Sequence, residues 1–252
     1  DNLKKIQGNE IMELVLEFLI IFFLIIFQSL FGIGLLLFGT PAFLFLGYDF
    51  ESTLILLLPI SICISFLQVN FRKFSMNSLV GEFNLYCLPF LVLFLILTIN
   101  FEEILDIKIY ASILLIISSI IVLIKDKIIN IKKHLPKYRK FFLIIIGIIH
   151  GFTNMGGGFL SIFSGLINNN RQSTRNYISY GYLIMGIFQY VTILLIGLNS
   201  IDFTKLFYIP MTLVLFYPVQ VLFNDLNDKF FIEVINYTAL TFGITALSLS
   251  LM

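Results

Sequence analysis

The sequence predicts an all-α polytopic membrane protein with about eight transmembrane helices, arranged as two four-helix repeats and broken or re-entrant at its glycine-rich stretches. Three observations carry this expectation. The 252 residues are 59% hydrophobic and 12% charged, whereas soluble domains carry roughly 25% charged residues. Uncharged runs matching a hydrocarbon core that needs about 20 helical residues recur from end to end. Two of these runs, four segments apart, are overlong and interrupted by glycine.

In order, the uncharged runs are Phe18 to Tyr48, Leu54 to Phe71, Phe83 to Phe101, Ile109 to Ile124, Phe141 to Asn170, Asn176 to Ile201, Leu206 to Asn224 and Val234 to Met252. The first and fifth hold 31 and 30 residues, too long for one straight helix across a core of roughly 30 Å. Gly32, Gly34 and Gly39, with Pro41, interrupt the first, and Gly156, Gly157 and Gly158 interrupt the fifth. Each glycine weakens a helix interior by about 1 kcal/mol relative to alanine, so a break is expected at both places. In lipid, an opened backbone persists only where it is packed in protein or lines a wet cavity. Both breaks are therefore candidate binding sites.

An internal repeat follows from the same comparison. Ser52-Thr53, Gln68 and Pro89 recur as Ser173-Thr174, Gln189 and Pro210 at a spacing of 121 residues, and Gly34 recurs as Gly156 at 122. The predicted halves are 11–124 and 138–252, joined by a basic linker at 125–137. Lysine and arginine placement orients them. With the N-terminus inside, 12 of the 16 basic residues fall on the inner side, among them Lys125, Lys127, Lys132, Lys133 and Lys137. This predicts a multi-pass protein of the cell (inner or plasma) membrane with both termini cytoplasmic and the halves as parallel repeats. The linker suits anionic headgroups. The first run is too long for the apolar region of a cleavable signal, and the start at Asp1 predicts that a few native residues precede it.

Charge and composition also exclude classes. Sixteen basic residues against fifteen acidic give no basic stripe for nucleic acid. Cys63 and Cys87 lie in apolar segments without metal-ligand spacing, so neither metal nor cofactor is expected. An intramembrane hydrolase is disfavoured because no Gly-x-Ser-x-Gly elbow occurs and no second-half carboxylate is placed to orient His150. An anion channel and a non-transporting scaffold remain as alternatives to a transporter.

At each break the following half-helix presents unpaired N–H groups and a partial positive charge, which suits an anion. Thr153, Asn154, Gly156, Gly157 and Gly158 are the candidate ligands of the second half, and Gln28, Gly32 and Gly34 those of the first. Gln68 and Gln189, deep in their segments, either face the pathway or bond across helices as packing glue. His150 is the only histidine inside a span, either a packed imidazole bonded to a carbonyl or a proton carrier that couples transport to protons. No aspartate or glutamate is expected deep in a span. Arg171 and Arg175 fall outside, in a solvated loop or at an electropositive mouth of the pathway.

Gly147-x3-Gly151-x4-Gly156-Gly157-Gly158 in a broken helix, followed by a polar loop and Ser173-Thr174, resembles the TauE/SafE family. The duplicated four-helix layout resembles it too. The resemblance implies a permease for a small sulfur-containing anion, such as sulfite or a related organosulfur oxyanion. The first half departs from the pattern, because Gly32-Ile-Gly34-Leu35-Leu36 keeps two glycines and puts leucines in place of the rest. An asymmetric site is therefore expected, with the second half as the main cradle. On this reading Gly157→Leu abolishes transport and Gly34→Leu does less.

Overall fold

The computed structural model describes residues 2–70, 78–102, 104–123, 129–168, 171–196 and 203–225, together with 237, 240, 241, 244, 247 and 248. Among these residues there is no strand. The helices are α1 (Asn2–Phe31), α2 (Leu35–Phe45), α3 (Phe50–Gln68), α4 (Ser78–Tyr86), α5 (Leu88–Asn100), α6 (Ile107–Leu123), α7 (Ile129–Thr153), α8 (Gly157–Ile167), α9 (Arg171–Ile196) and α10 (Tyr208–Asp225), the last preceded by a 3-10 turn at Phe203–Phe207. Five helical stretches are long and apolar enough to cross a membrane: Met12–Phe31, Phe50–Gln68, Leu79–Asn100, Gln172–Ile196 and Lys205–Phe223. The chain is thus helical and apolar in the manner of a membrane protein.

Five is fewer than the eight runs counted in the sequence, for reasons visible in the helices. The fourth run becomes α6, of 17 residues, and the fifth is cut at Thr153 into the end of α7 and the 11-residue α8. Most of the eighth run, and the linker residues 125–128, lie outside the described residues. Residues 129–137 of the expected linker are helical and continuous with the rest of α7.

Both expected breaks are present. α1 stops at Phe31 and α2 starts at Leu35; α7 stops at Thr153 and α8 starts at Gly157. The two breaks share one geometry. α2 and α8 are both 11 residues long and offset by 122, and Gly32 at φ 78° matches Asn154 at φ 61° with the same offset. The Gly32 N–H donates to Gln28 O at 2.7 Å and the Asn154 N–H to His150 O at 2.8 Å. The Phe38 N–H donates to Gly34 O at 2.8 Å and the Leu160 N–H to Gly156 O at 2.9 Å. After the short α2 or α8 the chain enters a long helix, α3 or α9, whose starts are offset by 121.

Helix packing places the breaks in the interior. α3 packs most extensively on α9, and α5 on α7, so the helices that follow the two breaks meet along the centre of the molecule. The α5–α7 contact explains the leading glycines of the second-half motif. A Cβ on Gly147 would lie 2.2 Å from Cys87 O, and one on Gly151 would lie 2.3 Å from Leu91 O. The Gly-x3-Gly pair is thus a close backbone seam between helices, not part of a ligand cradle. Gly151→Val is expected to prevent α5 and α7 from closing, seen as loss of monodisperse protein after extraction; unchanged yield and melting would remove this role.

Gly34 has φ 132°, and a Cβ there would lie 2.4 Å from Phe27 Cδ1. A side chain therefore meets backbone strain of roughly 1–3 kcal/mol as well as a clash. Gly34→Leu is therefore expected to impair folding in addition to any effect on transport, which a fluorescence-detected size-exclusion profile would show as aggregate or absence.

Glu17 lies near the start of the Met12–Phe31 stretch, just ahead of the first uncharged run, and is 2% exposed. It accepts from Lys205 Nζ at 2.6 Å to both oxygens, from Tyr48 Oη at 2.5 Å and from Tyr208 Oη at 2.8 Å. Four bonds from three partners make burial of the charge tolerable. They tie α1 to the α2–α3 turn and to the start of α10.

Candidate functional site

At the first break most polar groups of the protein satisfy one another, the buried Ser29 Oγ being an exception. Gln28 is fully buried; its Nε2 donates to Ser61 Oγ at 3.0 Å and Ser65 Oγ at 3.3 Å, and its Oε1 accepts from the Leu35 N–H at 3.2 Å, the first residue of α2. Gln68 Nε2 donates to Gln28 O at 2.8 Å and Ser29 O at 3.0 Å, capping carbonyls at the end of α1, and its Oε1 accepts from Ser179 Oγ at 3.1 Å. Of the two readings of Gln68, this geometry is that of helix-to-helix glue.

Arg175 joins this cluster. Its guanidinium donates to Ser29 O and to Gln220 Oε1, each at 2.7 Å, and stacks 3.8 Å from the centroid of the Phe223 ring. Gln220 Nε2 adds a further bond to Ser29 O at 2.9 Å. Arg175 is 6% exposed, which corrects its placement at a solvated loop or pathway mouth. A planar, delocalised cation can be held this way by carbonyls and an aromatic face. Its Cγ lies 3.3 Å from where a Cβ of Gly32 would be, so Gly32 makes room for the arginine. Arg171 begins α9, and its side chain lies outside the described residues.

The second break has the same scaffold and the opposite bonding. Residue 150 occupies the register of residue 28 at an offset of 122, and residues 182, 186 and 189 occupy those of 61, 65 and 68 at 121. The Gln28, Ser61, Ser65 and Gln68 of the first half are thereby replaced by His150, Tyr182, Gly186 and Gln189. His150, Tyr182 and Gln189 are all 0% exposed. Both ring nitrogens of His150, the Tyr182 hydroxyl, both amide atoms of Gln189 and Asn154 Oδ1 have no hydrogen-bond partner. His150 and Tyr182 meet edge to face at 6.1 Å between ring centroids. Gln189 lies close enough to His150 to interact, but no well-formed bond joins them. The carbonyl-bonded imidazole is thus not the state observed.

The glycines bring this cluster onto the start of α8. A Cβ on Gly157 would lie 1.5 Å from Tyr182 Oη, and one on Gly156 would lie 2.6 Å from His150 Cβ. The phenol therefore rests directly against the first turn of α8, where helix N–H groups lack intrahelical partners. Asn154 holds the left-handed position between the helices, and its Nδ2 donates to Thr40 Oγ1 of α2 at 2.9 Å. The two broken segments are thus joined side chain to side chain.

The other sequence-predicted residues serve the break itself. Thr153 Oγ1 donates to Ile149 O at 2.8 Å and accepts from the Met155 N–H at 3.3 Å. The Gly158 N–H donates to Met155 O at 3.3 Å. Tyr182, Gln220 and Glu17 were missed in the sequence. Tyr182 had a usable signal, since it stands 121 residues after Ser61, but the residue types differ and a search for identities passes over it.

What the arrangement can do follows from the mismatch between halves. Buried polar groups left without partners are unfavourable by roughly 1–3 kcal/mol each, which makes the second break the candidate binding site. The second break offers neutral donors and acceptors around a helix N-terminus. No group of three or more His, Cys, Asp or Glu that could hold a metal ion occurs among the described residues. No family model, curated protein or solved structure matches the chain.

Proposed function

We propose that this chain is a membrane transporter for a small anion, built as eight spans in two four-helix halves, 11–124 and 138–252, around the paired breaks. The single observation that carries the reading is the set of fully buried, unpartnered groups of His150, Asn154, Tyr182 and Gln189, of which the Tyr182 hydroxyl meets the start of α8. Their counterparts at the start of α2 are satisfied by the protein itself. A neutral cradle of this kind releases an anion more readily than a buried cation would, as transport requires. The absence of solvent access to these groups speaks for alternating exposure over an open channel.

The cargo is a sulfur-containing oxyanion such as sulfite, on the resemblance of the glycine motif to TauE/SafE permeases. The basic stretch at 125–137 and the termini lie on the cytoplasmic side of the cell membrane, by the distribution of lysine and arginine. His150 contacts the cargo and carries the coupling proton; both of its nitrogens are available for this. Flux of labelled sulfite into proteoliposomes tests the reading. Saturable uptake that is lost in Gln189→Leu is expected, whereas equal uptake by empty vesicles would end it. His150→Gln is expected to retain binding and lose the dependence of flux on a proton gradient, and an unchanged gradient response would reject proton coupling through His150.

A further inference from the structure

Beyond the transport reading, we infer that the two halves form an inverted repeat about an axis in the membrane plane, with the N-terminal end of α1 across the membrane from the basic start of α7. The N-terminus is then external, in place of the cytoplasmic side to which charge counted along the sequence assigns it.

Contacts between the halves run in opposite directions. The Asn70 N–H donates to Asn176 Oδ1 at 2.7 Å, Ser179 Oγ donates to Gln68 Oε1 at 3.1 Å, and a Cβ on Gly186 would lie 2.9 Å from Ile62 Cγ1. Residue numbers rise along α9 as they fall along α3, so these equivalent helices pack antiparallel. The register crosses near Cys63 and Ile184, themselves 121 residues apart. Equivalent positions thus meet at one level and diverge on either side of it, as a twofold across the helices requires; parallel copies would keep them level throughout.

The leading helices agree. α1 runs from Glu17, bonded to Tyr48 beside the start of α3, to the carbonyls of Gln28 and Ser29, bonded to Gln68 at its end. α7 runs the other way. Arg139 pairs with Glu82, whose neighbour Asn84 accepts from Tyr180 Oη one turn along α9 from Asn176, and Phe152 O accepts from Thr98, near the opposite end of α5. Arg139 stands 122 residues after Glu17, the offset of the two breaks. Each pairs with the other half, Glu17 with Lys205 and Arg139 with Glu82. The 19 residues of α3, about 28 Å of helix, separate the two ion pairs by close to the thickness of a hydrocarbon core. α2 returns the chain to the Glu17 end, so each half traverses the bundle an odd number of times, as inversion needs.

Charge then assigns the sides. Asp49, Glu51, Glu102 and Asp106 fall at the Glu17 end, whereas Lys132, Lys133, Lys137 and Lys140 fall with Arg139 at the start of α7, which makes the Arg139 end cytoplasmic. Gln68 and Gln189 lie on opposite sides of the crossing, so the two breaks straddle the axis. Rocking of one inverted half against the other about such an axis exposes a central site to each face in turn.

Side-specific labelling tests the arrangement. Single cysteines are placed at Lys5 on α1, at Ile104, which is 81% exposed, at Thr204 in the 3-10 turn before α10 and at the exposed Lys137. A membrane-impermeant maleimide is applied to intact cells and to inverted vesicles, and unsubstituted protein, with Cys63 and Cys87, gives the background. Lys5→Cys, Ile104→Cys and Thr204→Cys are expected to label in cells and to lose that labelling in inverted vesicles, and Lys137→Cys to do the reverse. Labelling of Lys5→Cys or Thr204→Cys from the same face as Lys137→Cys would overturn the inverted repeat. Reversal of the whole pattern would overturn the side assignment and support the inversion. None of these outcomes depends on flux, so failure of sulfite uptake would overturn the transport reading alone.

Discussion

Gly157→Ala is expected to abolish anion flux while the protein still reaches the membrane. The added methyl would lie 1.5 Å from Tyr182 Oη and 2.2 Å from Tyr182 Cζ, and Tyr182 is fully buried. The ring must leave the start of α8 or α8 must move away from α9, and either motion dismantles the cradle. Overpacking of this kind weakens a fold by about 1–3 kcal/mol, enough to lower a melting temperature without unfolding a robust helical protein. Flux is expected to fall at least about 100-fold, since misplacement of a binding group by an ångström has effects of that order. A second variant separates site from fold. Gly157→Ala combined with Tyr182→Leu removes the clash and should recover the melting temperature, but not the flux, because the hydroxyl is gone. Wild-type flux in Gly157→Ala, or recovery of flux in the double variant, would show that Tyr182 and α8 do not form the site.

Glu17→Ala should be among the most destabilising substitutions away from that site. It leaves Lys205 and the phenols of Tyr48 and Tyr208 without the carboxylate that joins them. Removing one partner of a buried ion pair is unfavourable by about 3–5 kcal/mol, and a value near the lower end fits here because the Lys205 side chain is 25% exposed and can reach water. Tyr48→Phe and Tyr208→Phe remove one bond each, and roughly 1.5–3 kcal/mol is expected from either. Replacing the pair together, Glu17→Met with Lys205→Met, should recover much of the loss, as apolar substitutes for buried pairs commonly do. Reversible unfolding in mixed micelles measures all four. Stability of Glu17→Ala within the scatter of wild type would mean that the cluster does not hold α1 to α10.

The two predictions rest on different kinds of legibility. The helix breaks could be read from the sequence because their cause is local: triple glycine at 156–158 and paired glycines at 32 and 34 weaken a helix wherever they occur. The repeat was legible for a related reason. A duplicated backbone keeps its spacing, so Gln68 and Gln189, or Gly34 and Gly156, betray it by identity alone. The apolar runs announced the helices, although a hydrophobic run such as Phe141 to Asn170 continues through a break that ends the helix.

What the sequence could not express is which polar group meets which across 100 or more positions. Arg175 looked like a loop cation because its neighbours in sequence are polar, but the guanidinium is received by Ser29 O, 146 residues away. Glu17 looked like the polar edge of the first span, and its charge is matched from Lys205, 188 residues away. Gln28 and His150 occupy one register in two copies of one scaffold, and nothing in either residue says that the first is bonded and the second is not. That difference arises from Ser61 and Ser65 on α3 against Tyr182 and Gly186 on α9, because hydrogen bonding depends on distance and direction between elements. The sequence by itself determined that there would be helices, two breaks and glycine at their centres, through local propensity and hydrophobicity. Tertiary structure alone decided that the first break is largely closed by its own side chains and that the second, at Gly156 to Gly158, keeps buried polar groups that no protein atom meets.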